Sequence, residues 1–366
     1  MITVLIPAHN EEETLGRAID SVKRQSFAVD DIVVIADNCT DRTVEVATAA
    51  GATVVETAGN KDKKAGALNQ VLDSLLRDAD DGDRVLVMDA DSFLDRRFVA
   101  TAAAWLDRTE VGRDGTPRRY GGIGGTFRGR AGEAERQPGV PGLLQRWVET
   151  AQCNEYARYA RDVRRKRGDV LVLTGTATLF SVEALRAVVA GRTAGRLPWT
   201  ATGEPKVYDT AVLTEDNELT FALRHAGWLV RSPAGCTLTT EVMASWRALH
   251  RQRLRWKRGA VENLVQYGVT RHTGKHWGYQ VVGVLGIVVT ALYLGSVGWA
   301  LAVDHGLSLR WMWLAVTAVF VVERTITVRS RGPRQMFVAA TLVVELAYDL
   351  FLQATHLKAL ADAGRG

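Results

Sequence analysis

An uncharged stretch of 27 residues, Trp277–Val303, restricts most strongly how this chain can fold. It is rich in Val, Leu and Gly, and Trp277, Tyr279 and Trp299 lie near its ends. A helix of about 20 apolar residues crosses the hydrocarbon core of a bilayer, and Trp and Tyr concentrate at the two membrane surfaces. The stretch therefore predicts a membrane-spanning helix to which the rest of the chain is attached.

Two less uniform apolar segments follow, at about 309–327 and 336–356. The second contains Glu345 and Asp349, carboxylates that inside a membrane should face protein or water and pair with a cation such as Arg324. Two interpretations stay open for these segments. Either both cross the membrane, which gives about three spans in all, or they form a buried hairpin of a soluble domain.

The basic residues between these apolar segments are unequally distributed. Arg324, Arg329, Arg331 and Arg334 lie from the end of the second segment to the start of the third, whereas Arg310 is the one arginine around the junction of the first and second. Loops rich in Arg and Lys remain on the cytoplasmic side of a membrane. Two crossings separate this loop from the residues before the first span, so those residues should lie on the same, cytoplasmic side. The sequence therefore predicts a multi-pass protein of the plasma membrane.

The overall composition excludes some classes of protein. Lys plus Arg exceed Asp plus Glu by 46 to 41, and the basic residues cluster next to apolar segments, which favours an anionic membrane surface over nucleic acid as a partner. Cys39, Cys153 and Cys236 are an odd, scattered set without CxxC spacing. We therefore expect a reducing compartment, no disulfide framework and no zinc site.

Four short apolar runs alternate with helix-like segments in the first hundred residues. This alternation is typical of parallel strand-helix units and predicts an open doubly wound α/β sheet. The opening run lacks the basic start and cleavage site of a signal peptide, which agrees with a cytoplasmic domain. The runs are Ile2–Ile6, Ile32–Ile35, Ala52–Val55 and Val85–Met88, and the helical segments are about 11–25, 42–50, 65–76 and 95–106.

The middle of the chain predicts further strands and helices, and the sequence becomes basic and rich in Trp and Leu after about residue 244. A basic segment with Trp and Leu at Ser245–Tyr267 suits a helix at a membrane interface. We therefore divide the chain into 1–243, 244–272 and 273–366. The further predicted elements are strands at Gly121–Phe127 and Val170–Thr174 and helices at Leu143–Arg167, Ser181–Ala190 and Asp216–Ala226, the last capped by Thr214.

Asp89-Ala90-Asp91 directly follows the apolar run that ends at Met88, so two carboxylates lie at the C-terminal end of a predicted buried strand. Open α/β sheets place their ligands at this end of the strands. Hard oxygen ligands suit Mg²⁺ or Mn²⁺ that bridges to a diphosphate. Taken alone, the tripeptide is explained as well by a surface loop. Other motifs therefore have to decide whether it binds a metal ion.

Over about Ile2–Tyr267 the chain resembles the family 2 glycosyltransferases of GT-A fold, and among them membrane synthases similar to the cellulose, chitin and hyaluronan synthases. The resemblance implies a doubly wound mixed sheet with helices on both faces, followed by an interfacial helix and about three C-terminal spans. The motifs that carry it occur in the order of the family: Val4–Glu11, Ala36–Asp41, Lys64–Asn69, Asp89–Asp91, Leu173–Thr176, Thr214–Asp216 and Gln252–Trp256.

The resemblance implies a set of residues for the UDP-sugar donor and its metal ion. Asp91 would hold Mn²⁺ or Mg²⁺, which neutralises the departing diphosphate. The other donor-side residues would be Pro7, Ala8, His9 and Glu11 at the base and ribose, Asp37 at uracil N3–H, Lys64 at a phosphate or at Asp37, Gly66 against the base, Asp89 and Ala90 at the ribose and diphosphate, and Arg255 at the diphosphate.

The acceptor side has its own implied residues. Asp216 would be the general base that takes the acceptor's proton, with Glu215 beside it. The acceptor-binding residues would be Gly175, Thr176, Gln252 and Trp256, the last stacking on a sugar ring. The chain departs from the family before Gly175, where Val172, Leu173 and Thr174 replace its aromatic and Cys residues. For Thr214–Asp216 alone, the start of a capped helix explains the residues equally well.

These residues together imply an inverting transfer from a UDP-sugar to an acceptor hydroxyl that gives a β-linkage. The motif Gln252-x-x-Arg255-Trp256 favours a synthase of polysaccharide or oligosaccharide, but three spans form a channel poorly unless the chain is a homo-oligomer. The alternatives are transfer of a single sugar to a lipid or protein at the membrane, and an inactive scaffold that binds sugar or membrane. The intact carboxylates argue against the scaffold.

Overall fold

The computed structural model describes residues 1–112, 115–132, 139–303 and 311–364. Strands and helices alternate through the first hundred residues, as the apolar runs predict. The strands are β1 Ile2–Ala8, β2 Asp31–Ala36, β3 Thr53–Glu56, β4 Arg84–Met88, β5 Ser92–Leu94, β6 Thr109–Val111, β7 Pro117–Gly124, β8 Thr126–Arg130, β9 Ala177–Ser181, β10 Leu229–Arg231 and β11 Thr237–Glu241.

Helices connect these strands and then form the whole C-terminal part that the structure describes. They are α1 Leu15–Lys23, α2 Thr43–Ala49, α3 Lys63–Asp78, α4 Phe98–Leu106, α5 Val140–Arg165, α6 Val182–Thr193, α7 Glu215–His225, α8 Trp246–Tyr267, α9 Gly274–Val303, α10 Trp311–Thr327, α11 Pro333–Ala340 and α12 Val343–Ala363.

The main sheet is mixed, with the strand order β10-β7-β9-β4-β1-β2-β3 and β6 added at the edge of β7. β4, β1, β2 and β3 are mutually parallel, whereas β9 runs antiparallel to both of its neighbours, β4 and β7. Side chains alternate across the sheet. In β1, Val4 and Ile6 join a core with α1, α2 and α4, while Leu5 joins a second core with α3, α6 and α7. Helices thus cover both faces, as expected.

The predicted strand Gly121–Phe127 is divided in the structure at Gly125. β7 stays in the main sheet, while β8 joins β11 and β5 in a separate three-stranded sheet. A Cβ atom at Gly125 would lie 2.4 Å from a methyl group of Leu238, so the chain turns here at a residue without a side chain. β11 pairs with β5, and three residues separate β5 from the end of β4.

The predicted strand Val170–Thr174 is wrong, because these residues are irregular. The position next to β4 is taken by β9, which begins at Ala177. Side chains bind the backbone of the irregular segment instead of a neighbouring strand, for example the hydroxyl of Thr220, which accepts from the amide of Leu173 at 3.0 Å. Val170 and Leu173 are buried and Leu171 and Val172 are half-buried, and this apolar character is what made the segment resemble a strand.

The predicted cap of α7 by Thr214 is also wrong, since the Thr214 side chain makes no capping hydrogen bond. Its hydroxyl accepts a hydrogen bond from the Asn263 amide of α8 at 3.1 Å. A Cβ atom at Gly259 would lie 2.5 Å from the same hydroxyl, so α8 packs closely on the start of α7. This packing brings the motif of α8 next to Glu215 and Asp216.

The basic helix predicted at Ser245–Tyr267 is present, and the Ser245 hydroxyl accepts from the amide of Ala248. Its apolar face is covered by protein: Leu249 is buried against α5 and α12, and Trp246 contacts the ring of Phe351. Contact of α8 with a bilayer therefore stays a prediction, and residues other than Trp246 and Leu249 would have to make that contact.

In the described ranges, α9 is long and apolar enough to cross a membrane by itself. The segment predicted at 309–327 forms α10, and Asp304, His305 and Arg310 of the loop before it lie outside the described residues. The third predicted span, 336–356, is not one straight helix. The chain bends by 66° between α11 and α12, where Leu342 has a left-handed backbone with φ 57°.

The two carboxylates of α12 face protein, as the sequence predicts. Asp349 accepts a hydrogen bond from Arg324 at 3.0 Å, and Glu345 pairs with Arg158 of α5 and accepts from Asn154. Glu345 is buried in this contact. The C-terminal helices are thus fixed to α5 of the N-terminal domain by paired charges.

Candidate active site

A cavity of about 1400 Å³ lies where β4 ends and α7 begins, enclosed by α5, α8 and the first turns of α9. It brings together residues from motifs that are far apart in the sequence. Those that line it include Lys64, Asp89, Asp91, Gly175, Thr176, Glu215, Asp216, Gln252, Arg255 and Trp256. The structure therefore collects the proposed metal ligand, base and acceptor residues in one space.

Lys64 lies at the centre of this cavity. Its ammonium nitrogen is 2.5 Å from Oδ1 of Asp89, 3.0 Å from the Gly175 carbonyl oxygen and 3.9 Å from Oε1 of Glu215. Burial lowers the pKa of Lys64, but the carboxylates of Asp89 and Glu215 outweigh burial and raise it above the ordinary value. The carboxylate that Lys64 meets is thus that of Asp89 and not that of Asp37, whereas contact of Lys64 with a phosphate stays a prediction.

Asp91 is the second carboxylate of its motif, and it lacks the cation that Asp89 has. Its contact with a side chain in the described residues is with the Ser92 hydroxyl, at 3.3 Å. Burial, followed by the nearby carboxylates of Asp89 and Glu11, raises the pKa of Asp91 to about 7. Such a group is stabilised by a cation, which lowers the energy of its charged form.

These residues fit a divalent cation that is held jointly with the substrate. Within the described ranges, no three His, Cys, Asp or Glu side chains are arranged to hold a metal ion by themselves. Mg²⁺ commonly binds through one or two carboxylates together with substrate phosphates. Since Lys64 already neutralises Asp89, Asp91 is the carboxylate that remains for this role.

Asp216 lies in the first turn of α7 with both carboxylate oxygens anchored. Oδ2 accepts from the Gly175 amide at 2.9 Å, and Oδ1 accepts from the Asn217 amide at 2.8 Å. Burial and then the neighbouring Glu215 carboxylate raise the pKa of Asp216 to about 6. A carboxylate with a pKa near neutrality is a better proton acceptor than an ordinary one, which is the property that a general base needs.

The arginines of the α8 motif have different surroundings. Arg253 occupies the first of the two variable positions in the motif Gln252-x-x-Arg255-Trp256. It is buried and donates to Glu155 at 2.8 Å, and its guanidinium carbon lies 4.5 Å from the ring centroid of Trp256. Arg255 is exposed at the cavity and contacts the Leu213 carbonyl oxygen at 3.3 Å. Arg253 therefore orients Trp256, while the Arg255 guanidinium faces the space that a diphosphate would enter.

Gln252 precedes these arginines and lines the same cavity. Its side-chain oxygen Oε1 is buried and has no hydrogen-bond partner within the part of the chain that the structure describes. A buried amide oxygen without a partner is costly, so a donor such as a sugar hydroxyl would stabilise it.

The residues implied for the base and ribose lie beyond the edge of this cavity. The Asp37 carboxylate accepts from Asn60, and the His9 ring lies 2.6 Å from the Asp37 carbonyl oxygen. Gly66 is needed for close packing, because a Cβ atom there would lie 2.1 Å from Oδ1 of Asn60. The cavity lining begins with residues 61–64, which follow Asn60 directly in the chain. It does not include seven of the residues implied for the donor: Pro7, Ala8, His9, Glu11, Asp37, Gly66 and Ala90.

The sequence did not reveal part of the cavity wall. Tyr156 and Tyr159 of α5 and Phe127 of β8 form an aromatic side, with ring centroids 4.6 and 5.2 Å from Phe127. The three-residue spacing of the two tyrosines on a predicted helix placed them on one face, but nothing in the sequence said what that face covers. Gly278 and Val282 of α9 also line the cavity.

Comparison with known proteins identifies the family and the fold of the chain. Residues 1–259 match the model of the family described as glycosyltransferase like family 2. A mannosyltransferase from Pyrobaculum calidifontis, solved in complex with GDP-Man and Mn²⁺, superposes with a TM-score of 0.57 at 17% identity, over 99% of this chain and 87% of that chain. At this identity the likeness shows the fold.

A curated relative matches more locally. The 4,4'-diaponeurosporenoate glycosyltransferase of Staphylococcus aureus (strain USA300) is 41% identical over 63 residues, which are 17% of this chain. The match spans 16% of the length of that relative.

Proposed function

Because the chain belongs to the glycosyltransferase-like family 2, we propose that it transfers a sugar from a nucleoside diphosphate sugar to an acceptor hydroxyl with inversion. One observation carries the proposal. The carboxylates of Asp91 and Asp216 line the same cavity, one beside the donor motif and one beside the acceptor motif. A single displacement needs a group that stabilises the leaving diphosphate and a base for the attacking hydroxyl, and this cavity supplies both.

On the acceptor side, Asp216 takes the proton of the attacking hydroxyl. The oxygen of that hydroxyl forms the new bond to the anomeric carbon while the bond to the diphosphate breaks. Both anchoring amides, those of Gly175 and Asn217, hold the carboxylate in place for this step. Attack from the side opposite the leaving group inverts an α-linked donor and gives a β-linkage, with Gln252 and Trp256 holding the acceptor.

On the donor side, Asp91 would hold Mn²⁺ or Mg²⁺, and a bound divalent cation acts as a Lewis acid on the departing diphosphate. Arg255 binds the diphosphate from the opposite wall, because a planar guanidinium suits phosphate oxygens. Lys64 keeps Asp89 beside Gly175 and Glu215, which ties the donor motif to the acceptor motif. We propose uridine as the base, with Asp37 as the acceptor for uracil N3–H.

We further propose that the enzyme works on the cytoplasmic side of the plasma membrane. α9 meets the length and composition of a spanning helix, and the arginines after α10 favour the cytoplasmic side for the N-terminal domain. In this arrangement residues 1–243 form the catalytic domain, 244–272 the interface segment and 273–366 the membrane region, with up to three spans.

Synthesis of a polysaccharide is a second candidate, and the lining of the cavity by Gln252, Arg255 and Trp256 favours it. Sizing of the products made from a UDP-sugar distinguishes the candidates. A ladder of lengths indicates repeated addition, and a single sugar adduct on a lipid or protein indicates one transfer. Neither product, with nucleotide bound but never consumed, would indicate a scaffold that binds without catalysis.

The proposal is tested with the full-length protein, several UDP-sugars and GDP-mannose, Mn²⁺, and a readout of released nucleoside diphosphate. Asp216→Asn should lower the transfer rate by about a hundredfold or more and leave nucleotide binding intact. Asp73→Asn, which alters a surface carboxylate paired with Lys206, is the control and should leave the rate unchanged. Normal transfer by Asp216→Asn contradicts the assignment of the base.

A further inference from the structure

The cavity that contains Asp216 has one wall made by the membrane helix. Gly278, Tyr279 and Val282 of α9 line the same cavity as Asp216 and Trp256. The first turns of α9 therefore bound the same space as the proposed base.

An apolar stripe continues from this wall up the helix. Gly278, Val282, Leu285 and Val289 are spaced by four, three and four residues, which places them on one face. Val282, Leu285 and Val289 are 65%, 57% and 64% exposed. None of these four residues has a hydrogen-bonding side chain, so the stripe offers nothing to replace the water around the hydroxyls of a sugar polymer. A hydrocarbon chain has no such hydroxyls and can lie against the stripe.

The part of the cavity wall that includes the start of α9 is polar, but its charges are paired. The Lys275 ammonium lies 2.8 Å from Asp169, and the Lys166 ammonium lies 2.6 Å from Asp162 and 2.7 Å from the Tyr279 hydroxyl. Each lysine thus has its own carboxylate. A bound headgroup that lies against this part of the wall needs no charge of its own.

We infer that the acceptor is an amphiphile with an uncharged, hydroxyl-bearing head and a hydrocarbon chain, which reaches Asp216 sideways from the bilayer with its chain along the stripe. The inference rests on the proposed function, since it names the acceptor class of the same site. The headgroup hydroxyl loses its proton to Asp216 and its oxygen bonds to the anomeric carbon, as nucleoside diphosphate leaves. The chain stays on α9 throughout.

The first test is a series of primary alcohols, from butanol to hexadecanol, used as acceptors for the full-length protein in detergent micelles. We expect the acceptor KM to fall by about tenfold for every two methylenes that reach the stripe, the factor expected for burial of apolar chain. Hexadecyl phosphate should be a poorer acceptor than hexadecanol. A KM that does not depend on chain length overturns the inference, as does a preference for the phosphate.

The second test blocks the stripe at its start. A Cβ atom at Gly278 meets no atom within 4 Å, so Gly278→Leu fits the fold and projects into the path. Gly298→Leu is the matched control, since it also meets nothing within 4 Å and lies about 160° around the helix from the stripe. Relative to Gly298→Leu, we expect Gly278→Leu to lower the ratio of transfer to hexadecanol over transfer to butanol by about tenfold.

The outcomes also separate this inference from the proposed function. Release of nucleoside diphosphate with transfer to a soluble oligosaccharide, and none to any alcohol, contradicts the inference and leaves glycosyl transfer standing. Equal transfer to hexadecanol by Gly278→Leu and Gly298→Leu also contradicts it. No turnover of any nucleotide sugar, with or without acceptor, contradicts the proposed function itself.

Discussion

The ammonium nitrogen of Lys64 and Oδ1 of Asp89 are 2.5 Å apart, although 25 residues separate them in the sequence. The same ammonium lies 3.9 Å from Glu215, the neighbour of the proposed base. One cation thus connects the strand end that carries the proposed donor motif to the helix start that carries the proposed base. It also explains why Asp89 and Asp91, one residue apart, have different surroundings.

Replacement of Lys64 by Met should destabilise the protein, because Asp89 and Glu215 would lose the cation between them. We expect the free energy of unfolding to fall by about 1 to 3 kcal/mol, and the double variant Lys64→Met, Asp89→Asn to recover part of that loss. Thermal unfolding of the three variants in detergent measures this. Lys206→Met breaks an exposed pair with Asp73 and should change stability by less than about 1 kcal/mol. Additive losses in the double variant contradict the pairing.

The transfer rate should depend on pH through Asp216, whose pKa is raised to about 6 by burial and then by Glu215. The base works in its charged form, so the rate should fall by about tenfold per pH unit below that value and level off above it. Glu215→Gln removes the like charge and should move the midpoint to lower pH. A rate profile that is flat across this range, or a midpoint that Glu215→Gln leaves in place, contradicts the assignment.

Asp91 should account for the metal dependence. A chelator should abolish transfer and Mn²⁺ should restore it, whereas Asp91→Asn should lower metal-dependent transfer by at least about a hundredfold. Without metal, the same substitution should raise the melting temperature, because it removes a buried charge beside Asp89 and Glu11. Asp62→Asn, at the cavity rim, is the control. A melting temperature that falls in Asp91→Asn without metal contradicts the electrostatic account.

Trp256 should affect the acceptor and leave the donor unaffected. Trp256→Ala should raise the acceptor KM by about three- to tenfold at an unchanged donor KM, the range expected for loss of an aromatic contact. Arg253→Met should act in the same direction, since it removes the guanidinium that lies above the indole. Trp299→Ala, on the exposed surface of α9, is the matched control. An equal rise in the KM values for acceptor and donor would contradict a role of Trp256 in binding the acceptor alone.

The local elements were largely predictable from the sequence, and the exceptions have physical causes. The strands predicted from short continuous apolar runs and the helices predicted between them came within a few residues of their observed bounds. The segment Val170–Thr174 misled because burial alone does not distinguish a strand from an irregular chain whose backbone binds side chains. The break at Leu342 was missed because the sequence there is uniformly apolar, while Glu345 and Asp349 are held by cations on other helices.

The sequence by itself determined which chemical groups are present and in what order: carboxylates at a strand end and at a helix start, the motif of α8, and an uncharged helix of spanning length. Those features follow from local patterns of polarity, which the chain carries whether or not it is folded. Only the tertiary structure decided that Lys64 neutralises Asp89 and leaves Asp91 for a cation, that Arg253 is held by Glu155 of α5 above the ring of Trp256, and that α9 forms a wall of the candidate catalytic cavity. Each of these depends on at least one contact between residues remote in sequence, which packing sets and no local pattern encodes.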